Sequence, residues 1–177
     1  MEISKIAYTY LVICASNEGN FLLNVGPRAN GTFPPEALER LETIGQWMRI
    51  GGESIYGSRR CPFTTTVGLS TAKGNKVYIH AFGWSGEEIC IAGVGNSIQL
   101  AYILPKGEEV CVVQNKNRVF LHKLSRLAPD PYNSVIVLEL DSEPIGVPYH
   151  SNESRRLVML STSTNPYVMK KCSDLQP

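Results

Sequence analysis

The sequence lacks any apolar run long enough to cross a bilayer. Its longest uninterrupted run extends from Tyr10 to Ala15, whereas roughly 18 residues are needed for a membrane-spanning helix. An excess of charge is also missing, because 17 basic and 16 acidic residues leave a net charge of +1 over 177 residues. A clustered basic face is the usual mark of a nucleic-acid binder. We therefore expect neither a membrane nor a nucleic acid as a partner.

Cysteine and histidine are too few and too scattered to predict a metal site. The five cysteines have no C-x-x-C spacing: Cys14, Cys61, Cys90, Cys111 and Cys172. A structural zinc site needs paired ligands, and a disulfide framework is denser in a chain of this size. The three histidines share no ligand spacing: His80, His122 and His150. The sequence therefore predicts five free thiols, no metal site and no cofactor.

Residues 1–57 carry the pattern of helix, strand, loop and helix. A first helix is predicted behind Ser4 as its N-cap, with apolar residues at helical spacing: Ile6, Tyr10, Ile13 and Cys14. Gly19 is expected to end that helix in the left-handed conformation. The run from Phe21 to Val25 is too short for a helix and apolar on both faces. Such a run is typical of a strand buried in a parallel sheet.

A second helix is predicted after a polar loop with a turn at Asn30-Gly31. Pro34 and Pro35 are expected to open this helix, since its first turn needs no amide donors. The predicted inner stripe is apolar: Leu38, Leu41, Ile44 and Met48. The helix is expected to end at Gly51-Gly52. A strand, a loop and a helix in this order form one unit of an α/β architecture.

The remaining chain changes in character after residue 57. Short alternating runs between turn signals predict strands near 63–69, 77–82, 89–92, 98–103, 110–113, 119–122 and 135–140. This series favours an antiparallel sandwich or barrel over residues 58–142, and an α+β chain as a whole. Residues 143–177 are rich in Pro, Ser, Thr and Asn without a period. They are predicted to be a poorly ordered tail.

Candidate catalytic residues are missing from this pattern. No aspartate precedes Asp130, and the glutamates of the second helix lie at the spacing of a solvated face: Glu36, Glu39 and Glu42. Glu18 and Glu53 have no neighbouring carboxylate in the sequence. Acid–base catalysis needs two groups that face each other across a cleft. We therefore assign no catalytic residue from the sequence.

One series of short motifs is specific. Residues 19–27 are G-N-F-L-L-N-V-G-P, followed by Asn30-Gly31-Thr32, Pro34 and G-E-S-I-Y-G at 52–57. This series closely resembles the end of the catalytic barrel in family 29 α-L-fucosidases, where the motifs are G-N-x-L-L-N-x-G-P, D-G-x-I-P and G-E-x-I-Y-G. Asn30 replaces the usual aspartate, a change that a tight turn tolerates. The resemblance is dense over 17–57 and weaker over the strands at 76–84 and 134–140.

The resemblance implies a fold and an activity. It implies a terminal βα unit of a (β/α)8-like barrel at 1–57 and a β-sandwich at 58–142. The family consists of retaining hydrolases that cleave α-linked L-fucose from glycans with two carboxyl groups. In the family, those groups belong to earlier barrel strands, so this chain corresponds to a carboxy-terminal fragment that is inactive alone. Asn24 would lie toward the substrate-binding mouth, unless it only satisfies loop backbone.

Two other functions stay open at this point. The sandwich could be a carbohydrate-binding module, with exposed aromatic residues as sugar contacts: Tyr78, Phe82, Trp84 and Tyr102. It could also be a structural element that covers part of a barrel. Outside a barrel, the unpaired apolar strand at 21–25 is expected to promote self-association of the chain.

Two features bear on the compartment. Residues 1–5 carry an early acid and no basic cluster, so they lack the features of a signal peptide. The family resemblance nevertheless implies work outside the cytosol. The triplets that begin at Asn30 and Asn152 fit the pattern N-x-[ST]. Both asparagines are therefore candidate glycosylation sites.

Overall fold

The computed structural model describes residues 2–65, 67–105, 107–148 and 169–170. Helix α1 (Glu2–Ser16) and helix α2 (Pro35–Gly51) precede a short 3-10 turn at Gly52–Ser54. The strands that follow are β1 (Arg59–Arg60), β2 (Thr64–Thr65), β3 (Gly68–Lys73), β4 (Lys76–Ala81), β5 (Glu88–Ala92), β6 (Ile98–Ile103), β7 (Glu108–Glu109), β8 (Cys111–Asn115), β9 (Arg118–His122), β10 (Ser134–Leu140) and β11 (Met169–Lys170).

The strands form two antiparallel sheets that share one core. The six-stranded sheet has the order β1-β3-β4-β10-β6-β7, and the five-stranded sheet has the order β11-β8-β9-β5-β2. Because side chains alternate across a strand, each sheet turns one apolar face inward. Ile79 and Ile136 of the larger sheet and Ile89 and Leu121 of the smaller one belong to the same buried cluster. The predicted antiparallel character of this region is confirmed.

The strand predicted at 63–69 is wrong as a single element. Its first part is β2, which pairs with β5 in the smaller sheet, and its last part begins β3, which pairs with β4 in the larger sheet. Gly68 lies at this change of sheet, where a Cβ atom would collide with the carbonyl oxygen of His80. Only glycine permits so close an approach of two backbones. The local alternation does not reveal that the chain changes sheets there.

The two helices pack on the outer face of the six-stranded sheet. A second buried cluster joins Tyr8 of α1 and Trp47 of α2 to Tyr78, Val135 and Val137. The rings of Tyr8 and Trp47 lie 5.4 Å apart at their centroids, and the Tyr8 hydroxyl donates a 2.7 Å hydrogen bond to the carbonyl of Thr43. Residues 1–57 therefore pack on residues 58–142 through a second hydrophobic core, which is separate from the core between the sheets.

Both helices were predicted, but their buried sides differ from the expectation. Ser4 lies inside α1 and is not its N-cap. The buried face of α1 contains Tyr8 and Val12, whereas Ile6, Tyr10 and Ile13 of the predicted stripe are exposed and its Cys14 is half-buried. In α2, Pro34 and Gly52 bound the helix as predicted. Trp47 is its most buried large side chain, and Leu38 is exposed.

A buried polar network connects this helical layer to the sheet. The Thr71 hydroxyl donates to the carbonyl of Ser54 at 2.6 Å, so His80 Nε2, 3.3 Å away, donates to the Thr71 oxygen. Asn133 Nδ2 then donates to His80 Nδ1 at 3.1 Å, and Trp47 Nε1 donates to the Asn133 carbonyl at 3.2 Å. Complete burial lowers the pKa of His80 to about 3. The ring is therefore neutral, with its proton on Nε2.

The tail predicted at 143–177 begins too early. Gly95 donates a 2.8 Å backbone hydrogen bond to Ile145, and Val147 donates one of 2.9 Å to Gly93. Strand β11 pairs with β8, with Met169 opposite Gln114. The prediction of a poorly ordered tail is therefore wrong for residues 143–148 and for β11. Its remaining residues lie outside the described ranges.

Candidate functional site

The segment that follows α1 contains the motif noted in the sequence. Helix α1 ends at Ser16 and is followed by Glu18 at φ +59°, and the Gly19 amide donates a 2.8 Å hydrogen bond to the carbonyl of Cys14. This is the Schellman arrangement, in which the left-handed residue precedes the one that donates to the last turn. The predicted left-handed residue, Gly19, is therefore wrong by one position. From residue 20 onward the chain continues as an exposed segment.

The predicted strand from Phe21 to Val25 is wrong for this chain, because residues 19–28 contain neither helix nor strand. A strand needs a hydrogen-bonded neighbour, and the described part of the chain places none beside this segment. Leu22 is 91% exposed, and Leu23 and Asn24 are also exposed. A run that is apolar on both faces thus lies open to solvent.

An open cavity of about 380 Å³ lies between this segment and α2. Asn24 contributes to its wall together with Leu23 and Val25, and α2 contributes Ala37 and Arg40. The predicted site residue is therefore solvent-accessible and close to a mostly apolar hollow. The alternative of a buried asparagine that satisfies loop backbone does not describe Asn24 here.

The loop after Asn24 contains a tight turn held by its own hydrogen bonds. The Arg28 amide donates to the Thr32 carbonyl at 2.8 Å, and the Gly31 amide donates to the Arg28 carbonyl at 2.9 Å. Gly31 has φ +81°, a conformation that glycine adopts without strain. Asn30 Oδ1 accepts hydrogen bonds from the Thr32 hydroxyl at 2.8 Å and from the Thr32 amide at 3.2 Å.

An exposed apolar face extends over the helices and this segment. Its members are large hydrophobic side chains that are more than a third exposed: Ile6, Tyr10, Ile13, Leu22, Leu23, Phe33 and Leu38. Exposed apolar side chains in this number are typical of a surface that contacts another protein segment. Among the described helices, none has the length and apolar character required to span a membrane.

Three of the described carboxylates have hydrogen-bond or ion-pair partners that fit structural roles. Glu18 accepts a 3.4 Å hydrogen bond from the Arg60 amide. On the six-stranded sheet, Glu139 pairs with Lys76 at 2.9 Å. A hydrogen bond from Asn96 lowers the pKa of Asp141. Within the described ranges, no group of three histidine, cysteine or acidic side chains could hold a metal ion.

Three of the four aromatic residues considered for sugar binding pack within the chain: Tyr78, Trp84 and Tyr102. Tyr78 is buried beneath the helices, and Tyr102 packs against the same cluster. Trp84 packs against the core between the sheets, and its Nε1 donates a 2.7 Å hydrogen bond to the Ser125 carbonyl. A sugar-binding face needs exposed rings. These positions therefore favour packing over carbohydrate recognition.

The cysteine prediction is partly wrong. Cys14, Cys61 and Cys90 form no disulfide, but Cys111 is disulfide-bonded. Cys111 begins β8, the strand that pairs with the carboxy-terminal strand β11. The odd count and irregular spacing concealed this bond, because a single disulfide leaves no recurring cysteine pattern in the sequence.

The comparisons with known proteins place the motif region and the sheets in one family. Residues 3–53 match the family model described as Alpha-L-fucosidase. The α-L-fucosidase of Dictyostelium discoideum is 34% identical over 134 residues, which cover 69% of this chain and 29% of that protein. The human tissue α-L-fucosidase is 40% identical over 78 residues, which cover 42% of this chain and 17% of that protein.

Solved structures give the same answer over a longer span. The α-L-fucosidase isoenzyme 1 from Paenibacillus thiaminolyticus is 35% identical with a TM-score of 0.72, and the match covers 78% of this chain and 35% of that one. A family 29 α-L-fucosidase from Bacteroides thetaiotaomicron, trapped as a covalent intermediate in complex with 2-fluoro-fucosyl fluoride, has 26% identity and a TM-score of 0.72. The chain spans about a third of the length of these proteins or less. It belongs to the α-L-fucosidases of glycoside hydrolase family 29, as a carboxy-terminal portion of such a protein.

Proposed function

We propose that this chain supplies the end of the catalytic domain and the adjoining β-sandwich of a retaining α-L-fucosidase. In this proposal residues 1–57 form the last helix–strand–helix part of a barrel, and the two sheets form the sandwich. The observation that carries the proposal is that the family match and the exposed apolar face lie on the same residues. The family model matches residues 3–53, and the exposed apolar face lies on those same residues.

The proposal explains why α1 has apolar residues on two of its sides. One side, with Tyr8 and Val12, is buried on the sheet and α2, whereas the side with Ile6 and Tyr10 is exposed. An apolar side of a helix normally packs against a neighbouring element. The missing cover is the rest of the barrel, which would also give residues 21–25 the strand neighbours that they lack.

The chemistry then depends on groups that this chain does not hold. Retaining cleavage of a glycoside needs two carboxyl groups about 5–5.5 Å apart. The carboxylates of residues 1–57 are Glu2, Glu18, Glu36, Glu39, Glu42 and Glu53. Glu18 holds the backbone of Arg60, and the three of α2 are exposed. We infer that the chain alone does not hydrolyse α-L-fucosides, and that the substrate, a fucosylated glycan, binds only to the completed barrel.

Asn24 is the residue of this chain that we place nearest to that substrate. Its support is its exposure and its position near the carboxyl end of the last predicted barrel strand, since such barrels keep their sites where the strands end. Its side chain can donate and accept hydrogen bonds, as sugar hydroxyls require.

Complementation tests this proposal. The chain is mixed with the part of the Dictyostelium relative that lies outside the matched 134 residues, and release of phenol from an aryl α-L-fucoside is measured. We expect activity only from the mixture. Leu22→Asp, at a 91% exposed position of the apolar face, should abolish it, whereas Leu127→Asp, at an 80% exposed position of the sheet unit, should not. Asn24→Ala should raise KM.

Two results would contradict the proposal. Turnover by the purified chain alone would mean that it contains the catalytic carboxylates. Equal loss of complementation in Leu22→Asp and Leu127→Asp would mean that the apolar face has no special role in joining the two parts.

The compartment in which we place this protein lies outside the cytosol. Disulfides persist in oxidising compartments and are rare in the cytosol, and Cys111 is disulfide-bonded. Relatives include proteins named tissue and plasma α-L-fucosidase. The disulfide and these names support export of the complete protein.

A further inference from the structure

We propose that Asn30 accepts an N-linked glycan, so that the turn at residues 28–32 is a modification site. The triplet Asn30-Gly31-Thr32 has the acceptor pattern N-x-[ST] without proline in the middle. Such triplets are common in sequences, so the argument rests on the shape and exposure of this one. It also rests on the proposed export of the protein, because the transfer takes place inside the secretory pathway.

The first observation is that the acceptor is accessible. Asn30 is exposed, and so are Ala29, Gly31 and Thr32 on either side of it. The turn lies between the segment after α1 and the start of α2, where no described strand or helix covers it. A glycan is bulky and requires a surface loop, and this turn provides one.

The second observation is the hydrogen bonding within the triplet. The Thr32 hydroxyl donates to Asn30 Oδ1 at 2.8 Å, and the Thr32 amide donates to the same oxygen at 3.2 Å. Both bonds use the carbonyl end of the asparagine amide. Among the contacts of the described residues, none engages Asn30 Nδ2, so the nitrogen that receives the sugar faces no competing partner.

The third observation is that the backbone of residues 28–32 already forms an ordered turn. Two backbone hydrogen bonds close the turn between Arg28 and Thr32. Gly31 has the left-handed backbone conformation that this turn requires. The side chain of residue 31 adds no bulk beside Asn30. A transferase can therefore approach the triplet without unfolding a helix or a strand.

The transfer is a substitution at the anomeric carbon of a glycan donor linked to lipid through pyrophosphate. Asn30 Nδ2 forms a bond to that carbon and loses one proton to a base of the transferase. The bond from the anomeric carbon to the pyrophosphate oxygen breaks, and the lipid pyrophosphate leaves with the electron pair. No oxidation or reduction takes place.

The test uses the full chain, secreted from a eukaryotic cell through an added cleavable leader, so that its outcome does not depend on the natural export signal. All variants carry Asn152→Gln, which removes the second triplet. We expect one glycan, observed as a mass increase that an amide-cleaving glycosidase removes. Asn30→Gln and Thr32→Val should lack it. Thr32→Ser should keep it, because the hydroxyl that bonds to Asn30 remains.

An unmodified peptide 28–32 in the secreted chain, beside a reporter glycoprotein that is modified in the same cells, would overturn the proposal. A glycan that persists in Thr32→Val would overturn it as well. The Thr32→Ser and Thr32→Val pair keeps the test decisive if Asn30→Gln folds poorly. Failure here would leave complementation of α-L-fucosidase activity unaffected, so the two proposals fail separately.

Discussion

His80 is the residue whose environment departs most from its behaviour in water. Its ring is completely buried, and its pKa falls to about 3 because burial disfavours the charged form. Both ring nitrogens are hydrogen-bonded, to Thr71 and Asn133, which in turn contact the helical layer through Ser54 and Trp47. A neutral histidine thus joins the two halves of the chain.

This arrangement predicts a specific pH dependence of stability. The unfolded chain protonates His80 below about pH 6.5, whereas the folded chain does not until about pH 3. Folding free energy contributed by the neutral ring is therefore complete above pH 6.5 and is lost as the pH falls from 6.5 toward 3. Urea unfolding should show His80→Gln less stable than the parent chain at pH 7, with the difference shrinking by pH 4.

The exposed histidine of the smaller sheet serves as the control for that experiment. His122 is partly exposed and lies 3.0 Å from Glu88. His122→Gln should leave the strong acid dependence of the parent chain in place. A difference between the parent chain and His80→Gln that stays constant from pH 7 to pH 4 would rule out a linked protonation of His80.

At the scale of elements, α1 has two apolar faces with different partners. Val12 is 0% exposed and packs inside the chain, whereas Ile13, the next residue, is 37% exposed on the apolar face. Val12→Ala should lower the free energy of unfolding by about 2 kcal/mol, and Ile13→Ala by less than about 0.5 kcal/mol. Urea unfolding of the two variants measures both values, and equal losses would contradict the assignment of the faces.

The sequence predicts elements well where the determining pattern is local. The alternation from Val77 to Phe82 and the prolines before α2 located β4 and α2 correctly. The prediction from sequence fails where contacts with residues that are distant in the sequence determine the structure. Residues 21–25 form no strand without neighbouring strands, Ile145 and Val147 are ordered by residues 93–95, and the disulfide of Cys111 leaves no spacing signal.

For the candidate site too, features set by a local pattern could be predicted, and features set by contacts between distant residues could not. The motif at 19–34 could be recognised from the sequence because its residues are contiguous, and the family match covers them. The buried face of α1 could not be predicted, since both faces are apolar and only the packing of Tyr8 against Trp47 distinguishes them. The sugar-binding alternative required exposed aromatics, and the burial of Tyr78 beneath α1 and α2 depends on contacts between distant segments.

At the scale of the whole molecule, a two-sheet unit carries two helices and one exposed apolar face. The sheets share a core, and the helices are fixed to the larger sheet by Tyr8, Trp47 and the His80 network. The outer side of the helices and the segment 20–26 remain apolar and exposed. We propose that this face causes self-association of the chain when the rest of the fucosidase is absent.

Hydrogen exchange over residues 21–25 tests this account most directly. In the chain alone these amides belong to no strand, so we expect fast exchange. Addition of the remaining part of a family 29 α-L-fucosidase should slow the exchange at least tenfold, roughly 1.4 kcal/mol, because the segment gains strand neighbours, while exchange in β4 and β10 should not change. Unchanged fast exchange over residues 21–25 in the mixture would contradict the claim that this segment becomes a barrel strand when its neighbouring strands are present.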